Sequence, residues 1–560
     1  MFLVALVALC AACGSGAPSV GDGATSQGGR AGQKTLRVTI QAQPSTFVGT
    51  ATGGVTPVGG RNQITALAHD WLTYTDIDGT AKAALAEEQP SLDRGTWTVN
   101  ADGTMVTTWR LRSGVTWQDG APFIADDLVF GWEIATNANV LAAGSAQARA
   151  ASAVEAVDSN TLRITWRRVA PDADDLGPGT IEPLPRRLLA DALASPTTFL
   201  ANPYFTGRFI GLGPFRVVRW VEGSFIEFAR YDGYWRGAPP LDGITVRFIS
   251  DPNAQLAAVL AGDVDVVLPV GVDIQSAGIA RQRWQGTANQ IIAAPDDRLE
   301  YVAVQLRPGD QTQPSLLDPR VRRALTLAID RQQLVDVVTA GEGLVADGLI
   351  PPWRAERVAL AASIPPVRYD PAAAAQDLAG LGWRRGVDGI MRSPSGEPLA
   401  FPVNTLPTAH SEEERALVAD NWTQLGVQID QQLQSAATIR DLETVARLPG
   451  TQVTASLYQL LWTVRFHTRE IARPENRWAG NNLSGYSNPV VDTLLDRLAT
   501  AIAPQEHLAL LRDLTSAIQA DQPIMPLFWD MNPILALAPV RNLKPYPVLQ
   551  TTNAYEWDLR

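Results

Sequence analysis

The chain has 560 residues, of which 46% are apolar, with 16 Trp and a net charge of −12 from 46 basic and 58 acidic side chains. That length implies two or more domains with cores large enough to hold without disulfides, and its two cysteines, Cys10 and Cys13, offer no pairing framework. An acidic balance, with no Lys/Arg run and no basic stripe interleaved with aromatics, excludes nucleic acid as the expected partner.

At the N-terminus, residues 2–12 form an apolar run that closes on Ala11-Ala12 before Cys13. A bilayer span needs roughly 20 apolar residues, so this shorter run suits the h-region of a signal peptide. The Cys10-Ala-Ala-Cys13 spacing is formally C-x-x-C. Inside an apolar leader it lacks both the scaffold and the further ligands that a redox or metal pair requires. Residues 21–33 are small, polar and aperiodic, as in a flexible tether. Thr35–Ile40 then alternates as a strand, and the Pro/Gly/Thr-rich residues 44–60 read as a loop.

Residues 109–132, WRLRSGVTWQDGAPFIADDLVFGW, carry dense punctuation. A strand ends near Arg112, Ser113-Gly114 and Asp119-Gly120 make turns, and Pro122 keeps the chain extended until Asp126 caps a helix starting near Asp127. Further on, strands are expected at 215–220 and 225–229 as a hairpin, then at 244–249, 264–268 and 301–306. Asp251-Pro252, Asp318-Pro319, Asp370-Pro371 and Asn488-Pro489 each supply an N-cap and a first-turn proline. Gly262, Gly382 and Gly426 read as helix stops. Ser411-Glu-Glu-Glu414 has the spacing of a capping box ahead of Val418, Trp422 and Leu425. No repeat of fixed period occurs, so periodicity points to a large mixed α/β protein.

The 109–132 stretch resembles the signature of the family 5 solute-binding proteins of ABC importers, roughly F-x-L-R-x-G-V-x-F-x-D-G-x-P-x-T-A-x-D-V. Six further blocks are similar to that family in order and spacing: GLGPF at 211–215, RYDGYW at 230–235, AGDVD at 261–265, DPRVRRAL at 318–325 with AIDR at 328–331, YDP at 369–371 with GW at 382–383, and GYSNP at 485–489 with Asp492. The resemblance covers nearly all of residues 35–560. It implies an α/β, two-lobed periplasmic-binding-protein-like (Venus-flytrap) fold with an additional inserted domain. Lobe one would comprise 35–75, 210–294 and 531–560, the inserted domain 76–209, and lobe two 295–530. Short, stiff connectors near 294–297 and 530–533, each holding a proline, would form the hinge. Residues 1–12 would be a signal peptide and 13–34 a tether. Cys13 would be lipidated, although Cys10 replaces the usual aliphatic residue and no basic residue precedes the apolar run.

Catalytic motifs are lacking: no H-E-x-x-H, G-x-S-x-G or G-x-x-x-x-G-K-[S/T] occurs. His69, His410, His467 and His507 have no metal-ligand spacing and read as surface or helix-end residues. Asp126-Asp127 reads as structural, since adjacent side chains diverge. No enzyme activity, metal or cofactor is therefore expected. In the resembled family a carboxylate in a G-W-x-x-D segment takes the α-amine of a bound peptide. Here the matching segment is Leu461-Trp-Thr-Val-Arg465, which keeps the tryptophan and puts Arg where Asp belongs. A cation there repels an ammonium group in a partly desolvated cleft, so Arg465 is expected to face an anionic or neutral part of the solute; the alternative is an exposed Arg465 or one paired with Glu470. The resemblance also nominates Trp462 as an apolar wall, Gly54 and Val55 in a loop bordering the pocket, Asn481 and Asn482 near the cleft, and Trp529 and Asp530 beside the hinge.

The expected protein is thus a monomeric, extracytoplasmic solute-binding lipoprotein, anchored to the cell membrane, that delivers a small solute to a permease served by an ATPase. The solute would be a peptide or, alternatively, an oligosaccharide or anionic molecule. A surface receptor or chaperone without import function, and a secreted hydrolase, are the rival classes.

Overall fold

The computed structural model describes residues 33–49, 63–140, 145–269, 271–406, 410–435 and 437–560. Cys13, the expected signal peptide and nearly all of the tether, and Gly54 with Val55, lie outside the described residues.

One sheet threads most of the fold. Its order is Gln428–Leu433, Ala400–Thr405, Thr451–Leu457, Gln290–Val304, Ile524–Ala536, Val266–Val267, Thr35–Ile40, Gly243–Phe248, Phe225–Arg230 and Phe215–Val221. Thr35–Ile40 runs parallel to Gly243–Phe248, the arrangement that buries both faces, and Leu36, Val38 and Ile40 accordingly pack with Ile226, Ile244 and Val246. At the other end Ala400–Thr405 runs parallel to Gln428–Leu433 and Thr451–Leu457, over a second core holding Val302, Leu325, Val403 and Trp422. A separate four-stranded sheet of Trp97–Val99, Met105–Arg110, Thr161–Trp166 and Ala151–Asp158 closes over Trp109, Trp117 and Trp166.

The two ends of the long sheet are joined by Gln290–Val304 and Ile524–Ala536. These strands pair antiparallel from Gln290↔Ala536 to Pro295↔Met531 and again from Leu299↔Trp529 onward. The stretches expected as short connectors are therefore interior parts of two long strands. Register shifts fall between Pro295 and Leu299 and between Glu300 and Tyr301, and the first leaves Asp296, Asp297 and Arg298 without partners on Ile524–Ala536. Pro295 and Pro533 withhold ladder N–H groups beside it.

The proline-led helices start as their sequences dictate: Asp251, Asp318, Asp370 and Asn488 each accept a backbone N–H from the following first turn. Two caps differ from expectation. The helix Ala125–Thr136 is entered through Ile124, and it is Asp127 that reaches back, accepting the Ile124 N–H at 3.1 Å and the Trp117 indole N–H at 3.0 Å. Asp126 instead pairs with Arg186 at 2.7 Å. In Ser411–Leu425 the cap position falls on His410, which makes no side-chain cap bond; Ser411 lies already inside the helix, so Glu414 is not the distal half of a capping box.

The blocks that resemble the family are held in place by packing. Gln118, in the middle of 109–132, donates its amide to the carbonyls of Ala68, Gly213 and Phe215 and accepts the Gly211 N–H at 2.9 Å. A Cβ on Gly211 would stand 1.9 Å from the Ala68 carbonyl oxygen, so only glycine fits there. His69, expected at the surface, is buried against Trp71, Trp117 and Phe209. Burial pushes its pKa down to about 3, so the ring is neutral.

Candidate functional site

The register shift in the long strands sets charged side chains at the floor of a cleft. One cavity of about 400 Å³ is lined from one end of the sheet by Gln41, Pro252 and residues 271–274, and from the other by Arg298, Glu300, Thr339, His410, Glu414 and Asp530. A second, of about 450 Å³, shares Arg298, Glu300 and Glu414 with the first and continues along residues 453–457 to Arg465. Either is of the size that holds a small solute.

The electrostatics are uneven along this cleft. Arg298 donates through Nε to Glu300 at 2.7 Å. Asp296 accepts the Asn532 amide at 3.0 Å, and Asp530 accepts the Met531 N–H at 2.9 Å. Desolvation, added to by the Asp530 charge, pushes the Asp296 pKa up to about 6. Burial likewise raises Asp530, with Arg298 pulling the other way. Burial raises both Glu300 and Glu414; at Glu414 the Glu300 charge adds to the rise, while at Glu300 Arg298 pulls the other way and Asp530 pushes up again.

Arg465 closes the other end. It belongs to the π-helical turn Leu461–Arg465 that follows the strand Thr451–Leu457. Its Nη1 donates to the Asn481 carbonyl at 3.0 Å and its Nε to Ser456 Oγ at 3.3 Å. Glu470 pairs with Arg469 instead, at 3.6 Å, and among the described residues no carboxylate lies within ion-pair distance of Arg465.

The remaining candidates divide. Asp530 lines the cleft, and Asn481 borders a small recess with Tyr301 and Arg465. Asn482 is turned inward: its amide donates to His467 O and Tyr486 O and its oxygen accepts from Tyr486 N and Ser484 Oγ, so its hydrogen-bonding capacity is spent on the loop. Trp462 packs edge-on against Tyr458, and Trp529 edge-on against Trp353 and Tyr458, both within a buried cluster away from the two cavities. Sequence reasoning passed over Arg298, Glu300 and Glu414. The signal for the first two was the charged run Asp296-Asp-Arg-Leu-Glu300 inside an otherwise apolar strand; Glu414 was hidden by its resemblance to a capping residue.

Two sheet-bearing ends joined by paired strands, with a solute-sized charged cleft at the joint, are the features of a two-lobed binding protein. Residues 83–461 match the model of the bacterial extracellular solute-binding proteins, family 5 Middle, and the chain belongs to that family of non-enzymatic proteins. It is an extracytoplasmic substrate-binding protein of an ABC transporter. The glutathione-binding protein GsiB of Salmonella typhimurium is 26% identical over 461 residues, covering 81% of each chain. Among solved structures, the oligopeptide-binding protein AppA of Bacillus subtilis in complex with a nonapeptide has a TM-score of 0.61 at 21% identity, covering 94% of this chain and 99% of its own. An ABC transporter substrate-binding protein from Sinorhizobium meliloti has a TM-score of 0.74 at 19% identity, covering 94% and 100%. These two likenesses establish the periplasmic-binding-protein fold.

Proposed function

We propose that this chain captures a peptide-like solute in the charged cleft, with Arg465 receiving an anionic group, and hands it to a membrane permease while tethered through a lipid on Cys13. The observation that carries the reading is Arg465 itself. Its guanidinium lines the cleft with only neutral acceptors, the state of a cation kept for a carboxylate on the ligand. The ligands named for two relatives, glutathione and a nonapeptide, both carry carboxylates. Lobe two would extend over 295–530 and lobe one over 35–75, 210–294 and 531–560, with the inserted domain at 76–209. The register shift beside Asp296–Arg298 is the natural place for the strands to flex.

Glutathione is the first probe. Arg465→Ala should weaken its binding by about 10- to 100-fold, the worth of one charge-assisted hydrogen-bonded contact, read by titration calorimetry; unaltered affinity removes Arg465 from the site. A solute that contacts both lobes favours the closed state by its differential affinity. Small-angle scattering should therefore show the radius of gyration contracting at saturating ligand, and an unchanged envelope would refute the clamp.

A further inference from the structure

Among the charged residues of the cleft, Glu414 stands apart. It is 6% exposed and lines both cavities, yet among the described residues nothing donates a hydrogen bond or an ion pair to its carboxyl group. Its carboxyl oxygens keep accessible surface in the two cavities, so with no protein donor they are open to a group entering the cleft. Around it stand Asp296, Arg298 and Glu300 from Gln290–Val304, Asp530 from Ile524–Ala536, and His410 and Glu413 from its own helix. Asp273 lies across the cavity and Arg465 at the far end. The nearest cation, Arg298, is already engaged by Glu300, and the Thr339 hydroxyl donates to the Val335 carbonyl. Asp273, Glu300, Glu414 and Asp530 thus line one cavity with a single, already engaged guanidinium, Arg298.

We propose that Glu414, with Glu300 and Asp530, forms a cation subsite that takes the ammonium or guanidinium group of the solute, at the opposite end of the cleft from Arg465. The inference rests on the reading of the cleft as the solute site and narrows the ligand to a zwitterion with separated charges. Its anionic end would lie at Arg465, at the far end of the same cleft. The raised carboxyl pKa values add a linked effect. The empty cleft retains protons near neutrality, an arriving cation displaces them, and binding therefore releases protons and tightens as pH rises through the elevated carboxyl range.

Fragments test the subsite without the natural solute. N-methylguanidinium and n-propylammonium at millimolar concentration should raise the melting temperature of the intact protein, more strongly at about pH 8 than at about pH 6. N-methylurea, neutral and of similar shape, should not. Glu414→Gln, nearly isosteric and relieved of repulsion, should lose most of the shift, and Asp530→Asn should lose part of it. Absence of a wild-type shift, an equal shift with N-methylurea, or a shift retained in Glu414→Gln overturns the proposal. The glutathione titration of Arg465→Ala reads the other end of the cleft, so the two readings fail separately.

Discussion

Replacing Arg354 with methionine should cost about 3–5 kcal/mol of stability, the usual consequence of stripping one partner from a buried ion pair. Arg354 and Asp297 have side chains only 9% and 10% exposed. The guanidinium holds Asp297 through Nη2 and through Nε at 3.3 Å, donates Nη1 to the Gly79 carbonyl at 3.0 Å, and lies 5.1 Å from the Tyr458 ring centre. Asp297 sits in the register shift of the long strands and also accepts from Trp353 Nε1 and Gln459 Nε2. One side chain therefore ties the register shift to the turn that carries Gly79, where a Cβ would meet the Arg354 stem at 2.7 Å. Lysine should not restore the loss, because it lacks the planar fork that serves two acceptors at once. The double variant Arg354→Met/Asp297→Leu should lose less than the single one, since no uncompensated carboxylate remains. Denaturant titration reads all three; a loss under about 1 kcal/mol in Arg354→Met would place the pair among weakly contributing surface bridges.

Arg331→Met should be comparably damaging, by about 3–5 kcal/mol, for a different reason: it strands buried carbonyls rather than a carboxylate. Arg331 is 2% exposed and closes the AIDR block that follows the helix Pro319–Leu327. It donates to the carbonyls of Pro526 at 2.7 Å, Thr326 at 3.0 Å and Ile329 at 3.4 Å, so it stitches that helix end to the long strand Ile524–Ala536. Burial pushes the guanidinium down to about 10, which still leaves it charged at neutral pH. Arg331→Lys should recover only part of the loss, because a single ammonium cannot span three carbonyls set by a planar group. Calorimetric melting temperature is the readout, and a near-wild-type value for Arg331→Met would show that those carbonyls find other donors.

Arg331 also shows why a block of sequence can identify a family while contributing nothing to its ligand. Arg322, in the same block, donates to the carbonyls of Leu316, Asp521 and Gln522, and Gln118 sews residues 109–132 to the GLGPF segment. These contacts build the scaffold and do not line the cleft, which is why the resemblance was readable over nearly the whole chain and the solute was not. Trp462, the one aromatic residue shared with the family's binding segment, packs in the cluster with Tyr458 and Phe466. Arg465, the departure from that segment, is the residue that borders the cleft.

Features that local chemistry settles could be read directly from the residues. Asp-Pro and Asn-Pro pairs set helix starts because the cap and the fixed proline φ act within one turn. Gly114, Gly120, Gly262 and Gly426 mark chain reversals and helix ends because their φ angles of 77°, 87°, 78° and 99° suit glycine alone. The strand Thr35–Ile40 followed from alternation. Tertiary structure alone decided everything that depends on which surfaces meet. Glu414 fits a capping box by spacing, yet its helix begins one residue earlier and packing turns its carboxyl into the cleft. Pro295 and Pro533 read locally as breaks, but they sit in strands whose partners lie more than 230 residues away in the chain. His69 looks polar in sequence and is caged by aromatics contributed from distant segments. Spacing along the chain fixes a residue's position within its own element; whether that position faces water, core or cleft is set by the element packed against it.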